Sequence, residues 1–139
     1  MSFEEKSTWI YAVIVVALPI IYFAMVLGQL PQTPARDIEF HAPLVAFVGA
    51  AIGLTIAAHI AIAIAAPDDA GKRDQRDKDI NRYGEYVGGL VLGGAAVVPF
   101  ILALAEADHF WIANTLYLAF ILGNASGSAV KIVAYRRGL

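Results

Sequence analysis

The sequence predicts an all-α integral membrane protein: a four-helix bundle with its N and C termini in the cytoplasm. Three observations lead there. The composition is too apolar for a water-facing surface, the apolar residues fall into four runs of membrane-spanning length, and the basic residues gather on one side of those runs. Of 139 residues, 59% are hydrophobic and 16% charged. A soluble domain is about half apolar and about a quarter charged, so the excess must face lipid.

A helix needs about 20 apolar residues to cross a bilayer. Four runs meet this, at about residues 8–30, 43–66, 86–105 and 111–134. Barrel strands would be half as long and would alternate. In hydrocarbon every backbone N–H and C=O must be paired within its own segment, which makes such runs helices. The leader of the first run, Ser2-Phe3-Glu4-Glu5-Lys6, is acidic and no small-x-small cleavage pattern follows the run. It reads as a retained span rather than a signal peptide. Pro31–Ala42 is a polar loop with two prolines, and Glu106–Phe110 is a tight turn. Pro19 and Pro99 are expected to kink spans one and three.

The connection 67–85 is long and charged. Asp68/Lys72, Asp69/Arg73, Arg73/Asp77 and Asp74/Lys78 are each four residues apart. That spacing pairs charges on a helix, so a short cytoplasmic helix is expected to start at Pro67–Asp68 and break at Tyr83-Gly84. Orientation follows from the ten basic residues. Lys6, Lys72, Arg73, Arg76, Lys78, Arg82, Lys131, Arg136 and Arg137 fall on one side, and only Arg36 on the other. The positive-inside rule puts both termini and the 67–85 segment in the cytoplasm of an inner-membrane, multi-pass chain. Trp9, Tyr11, Phe110, Trp111 and Tyr135 sit at span ends as interface anchors.

Net charge is −2, which excludes a nucleic-acid partner, since phosphate binding needs surplus Lys and Arg. The chain contains no cysteine. That rules out disulfides and thiolate chemistry. No nucleophile–base pair or phosphate loop appears, no enzymatic activity is expected and no cofactor is predicted. Glu4, Glu5, Glu85 and Glu106 all read as helix-end acids, which argues against a proton-coupled exporter. Asn124-Ala-Ser126 fits a glycosylation pattern but falls in mid-membrane.

Small residues spaced by four mark helix-packing faces in lipid: Gly49/Gly53, Gly84/Gly88, Gly89/Gly93 and Gly123/Gly127. They are expected to close the bundle or to form a homo-oligomer face. Span four carries a polar seam, Asn114, Tyr117, Asn124, Ser128, Lys131 and Tyr135, at helical spacing. Polar groups in hydrocarbon are costly unless paired, so the seam should point inward. His59 lies deep in span two, at a depth similar to Ser128, and is expected to face Asn124 and Ser128. Glu5 and Pro19 match Glu85 and Pro99 at one offset, which hints at a parallel repeat of two halves. Asp37, Glu39 and His41 precede span two, and Glu106, Asp108 and His109 precede span four. Imidazole with carboxylate suits a divalent metal, a solvated acidic loop explains the same residues, and the two outer histidines also suit axial haem ligation.

The stretch Arg73-Asp74-Gln75-Arg76-Asp77-Lys78-Asp79-Ile80, with Arg82-Tyr83-Gly84, Asp108–Asn114 and Val130–Gly138, resembles a family of small uncharacterised bacterial four-span membrane proteins. Some members are encoded beside helix-turn-helix regulators. The resemblance implies a membrane partner of a regulator and no catalytic residues.

The functional expectation is a non-enzymatic membrane protein acting through protein–protein contacts, as an accessory subunit or regulator partner. Its partners would be the lipid bilayer, another membrane protein or a second copy, and a cytoplasmic regulator. Arg73, Asp74, Arg76, Asp77, Lys78 and Arg82 would form the contact surface. The alternatives are a small oligomeric transporter or channel and a metal- or haem-binding membrane component.

Overall fold

The computed structural model describes residues 1–70 and 72–138; Gly71, inside the expected charged segment, and Leu139 lie outside them. It is all-helical, with no strand among the described residues. The helices are α1 (Phe3–Leu27), α2 (His41–Ala65), α3 (Gln75–Ala95), α4 (Val97–Leu104) and α5 (His109–Arg137). α3 and α4 together form the third of four helical stretches long and apolar enough to cross a bilayer. The chain is therefore a multi-pass membrane protein. α5, with 29 residues, is about 44 Å long at 1.5 Å per residue. It outreaches the roughly 30 Å hydrocarbon core, so its ends project beyond it.

Local chemistry sets the ends. Ser2 caps α1 by accepting from the Glu5 N–H at 3.1 Å, and Glu4 and Glu5 occupy a first turn that favours negative charge. Asp74 and Asp77 build a reciprocal capping box at the start of α3. The Asp77 N–H donates to Asp74 Oδ1 at 2.7 Å, and the Asp74 N–H donates to Asp77 Oδ2 at 3.3 Å.

That box corrects the expected helix in 67–85. Residues 67–70 form a turn, and the helix begins at Gln75 and runs through Tyr83-Gly84 without a break. Arg76, Asp77, Lys78, Asp79, Arg82 and Glu85 thus belong to the same helix as the third span, while Asp68, Asp69, Lys72, Arg73 and Asp74 precede it. Pro19 leaves α1 continuous. Pro99 acts as expected. It has no N–H for the Ala95 carbonyl four residues earlier, and the helix is interrupted at Ala96.

After α4 the chain reverses at Glu106, whose φ of 54° lies in the left-handed region. The Glu106 N–H reaches Ala103 O at 3.1 Å, and the Ala107 N–H reaches Leu102 O at 3.0 Å. This is a Schellman-type end, where glycine is usual because it has no Cβ to strain.

α5 is the central helix. α1, α3 and α4 pack on it, whereas α2 packs on α1 alone and contributes no buried residue. α2 and the α3–α4 span do not pack together, so the bundle is open on that side. The apolar core sits away from the basic end. It consists of Tyr22, Val26, Ile38, Phe40 and Phe110, the middle pair supplied by the α1–α2 loop. At the basic half, α3 and α5 close on glycine. A Cβ at Gly88 would fall 2.7 Å from Gly123 O, and one at Gly127 would fall 2.9 Å from Gly84 O.

Candidate functional site

The polar seam of α5 organises the interior. Near its start the buried Asn114 accepts from Tyr22 Oη at 2.6 Å and donates to Phe110 O at 2.7 Å. Tyr22 is fully enclosed and meets Phe47 and Tyr117 edge-on. Midway along, Asn124 accepts from Tyr11 Oη at 3.0 Å and donates to Phe120 O at 2.9 Å. Ser128 is buried a turn further on. Lys131 Nζ donates to Glu85 Oε1 at 2.5 Å. Near the end Tyr135 Oη donates to Asp77 Oδ1 at 3.0 Å. Each bond to a neighbouring helix joins α5 to α1 or α3, as the cost of unpaired polar groups in lipid requires.

Two partners in this seam were not anticipated. Glu85 is not a helix-end acid: it stands mid-way along α3. Tyr11 is more than an interface anchor, because it bonds across to α5. The one clue in sequence was that Lys131, in the last turn of the expected span 111–134, profits from a counter-charge.

His59 does not face Asn124 and Ser128. It is exposed on α2, with Nδ1 2.9 Å from Thr55 O on its own helix. Tyr11 holds the position expected for it, because α2 packs on α1 and splays from α5. The packing glycines divide likewise. Gly123 and Gly127 close on Gly84 and Gly88, while a Cβ at Gly49, Gly53, Gly89 or Gly93 would meet nothing within 4 Å. Those four do not pack helices within the chain.

Several charges expected on a contact surface bond to other parts of the chain instead, though of these only Asp77 is buried. Asp77 is buried and Asp74 caps α3. Arg73 Nε donates to Glu4 Oε1 at 2.9 Å. That bond, with Glu4's charge, raises the guanidinium pKa above its already high ordinary value. Arg76 donates to Tyr135 O at 3.3 Å, with its guanidinium carbon 5.8 Å from the Tyr135 ring centre. Arg136 lies over the Trp9 ring at 5.4 Å. These groups clasp the basic ends of α1, α3 and α5. Lys78 and Arg82 remain exposed.

Two cavities border the seam and a third lies beyond its start. One of about 390 Å³ lies between α1, α2 and α5 and is apolar except for Tyr11, Thr55, Tyr117 and Asn124. A second, of about 300 Å³, lies between α1, α3 and α5 and is lined by Tyr11, Glu85, Asn124, Ser128 and Lys131 together with glycine backbone. Tyr11, Phe120 and Asn124 form the wall common to both. The third is a cleft of about 600 Å³ at the far end, where Asp37, Glu39 and His41 meet Glu106, Asp108 and His109. The two outer loops thus line one cleft. Yet among the described residues no three such groups come close enough to hold a metal ion. His41 instead stacks on Phe40 at 4.1 Å and lies 3.4 Å from Glu39.

Comparison with protein families, curated proteins and solved structures finds no match to this chain.

Proposed function

We propose that the chain is a non-enzymatic inner-membrane protein, with both termini cytoplasmic, that acts through protein–protein contacts as an accessory subunit or as the membrane partner of a regulator. One observation carries the reading: α2 packs on a single neighbour and has none of its 25 residues buried. Its Gly49 and Gly53 present bare backbone on an open side, a surface suited to close approach by another helix. The distribution of basic residues supports the orientation. The resemblance to the four-span family supports the regulator role.

The natural lack of cysteine makes a direct test possible. Single Gly49→Cys and Gly53→Cys chains should cross-link in native membranes, to a second copy or to another membrane protein. Phe100→Cys, exposed on α4, should not. Equal cross-linking at all three sites, or none at α2, would count against the reading. For a cytoplasmic partner, neutralising Lys78 and Arg82 together should reduce its co-purification without loosening the clasp. Both are exposed on α3 and take no part in that clasp. The shared wall of the two interior cavities favours a second reading, a small oligomeric transporter or channel gated at Tyr11–Asn124. Solute flux in liposomes that rises on Asn124→Ala would support it.

A further inference from the structure

The polar cavity between α1, α3 and α5 is built unlike the rest of the molecule. One wall is glycine backbone, whose helical carbonyls each keep a second lone pair free. At its edge stands an ion pair with unequal partners. The Lys131 side chain is 15% exposed and that of Glu85 is 70% exposed. The ammonium is thus held within the protein while the carboxylate faces outward, and a carboxylate accepts several hydrogen bonds beyond the one it receives here.

Position narrows what can approach. Tyr83 and Tyr86 flank Glu85 on α3 and are both exposed, and tyrosines of this kind gather at the headgroup level of a bilayer. α1 and α3 are not among the closely packed helix pairs, so close helix packing does not seal the cavity between them. In a bilayer, what would reach it from that side is lipid.

We propose that this cavity binds the headgroup of a zwitterionic phospholipid bearing a primary amine. The lipid ammonium pairs with Glu85 and its phosphate with Lys131. One internal ion pair is exchanged for two, so no charge is left uncompensated, which is the condition for partly buried ions. A primary ammonium donates three hydrogen bonds, to the carboxylate and to glycine carbonyls. A quaternary ammonium donates none and prefers an aromatic cage, whereas among the described residues Tyr11 and Phe120 alone bring aromatic rings to this cavity. An anionic headgroup without an amine would take Lys131 for its phosphate and leave the Glu85 carboxylate without a partner.

Gly89 makes the test clean. It lines the cavity, and a Cβ there meets nothing within 4 Å, so Gly89→Leu fills the space without touching a helix contact. Delipidated protein is offered equal amounts of phosphatidylethanolamine, phosphatidylcholine and phosphatidylglycerol with identical chains, and bound lipid is read by native mass spectrometry. Phosphatidylethanolamine should be retained at least about fivefold over the others. Glu85→Gln should erase the preference. Gly89→Leu should abolish retention with an unchanged melting temperature, and it carries the test alone if Glu85→Gln fails to fold. Gly93→Leu, equally unobstructed but outside the cavity lining, should behave as wild type. Equal retention of the three lipids, or a preference that survives Gly89→Leu, would overturn the proposal. So would displacement of the lipid by an equal concentration of soluble glycerophosphoethanolamine, which would make the ligand a water-borne zwitterion.

Discussion

Gly49/Gly53 on α2 and Gly123/Gly127 on α5 share one spacing and have opposite surroundings. On α5 the pair meets a second pair, Gly84/Gly88, and the two backbones touch so closely that a methyl group has no room. On α2 the same pattern borders open space. The motif marks a face that permits close approach. Whether approach occurs depends on a complementary face in the right helix and on that helix's place in the bundle. α5 is central and α2 is peripheral. Within one chain the motif therefore closes the interior at one site and leaves a surface for other molecules at the other.

The largest expected effect tests that contrast directly. Gly88→Leu drives a side chain into the backbone of α5, which cannot yield as a flexible side chain can. Overpacking of this kind should cost about 3 kcal/mol or more, read as loss of the cooperative thermal transition in detergent. Gly49→Leu should stay within about 0.5 kcal/mol of wild type, as surface changes do. Similar losses at both positions would break the comparison. Next comes the buried bond between Asn114 and Tyr22. Asn114→Ala strands a fully enclosed hydroxyl and should cost about 2 kcal/mol. Asn124→Ala, whose bond to Tyr11 lies beside two cavities, should cost less than about 1 kcal/mol. A reversed order would mean that the bundle is held at its middle rather than at the end away from the basic residues. Asp77→Ala removes half of the capping box and the acceptor for Tyr135, for about 1 kcal/mol. One effect has the opposite sign. Glu106→Gly relieves a side chain held at positive φ and should raise stability by about 1 kcal/mol, visible as a higher melting temperature.

Much of this was legible in sequence because lipid makes strict demands. Four uninterrupted apolar runs admit only helices, and the polar residues of α5 recur at a helical interval, so their inward face could be read from spacing. The partners of that face were harder to read. Sequence depth placed His59 opposite Ser128, but depth says nothing of which helix stands next to which. Here α1 lies between α2 and α5, and Tyr11 makes the bond. The segment 67–85 misled for another reason. Its charges at intervals of four suggest pairs along one helix, yet Arg73 pairs with Glu4 on α1 and Asp77 turns toward Tyr135 on α5. Local spacing cannot distinguish a charge paired along its helix from one that clasps another. Glu85 was passed over because its neighbours resemble a loop. The capping box at Asp74 and Asp77, three residues apart and visible in the sequence, was the signal that the helix begins well before it.

The interruption at Ala96 has a mechanical consequence. Below it, α3 is welded to α5 by backbone contact. Above it, α4 is a stretch of eight residues joined through a carbonyl that Pro99 cannot satisfy. Bilayers differ in thickness, and a span that does not match must tilt, bend or deform the lipid around it. A bend at this one place would leave the glycine contact undisturbed, so the span has a way to answer a mismatch that need not reach the polar cavity.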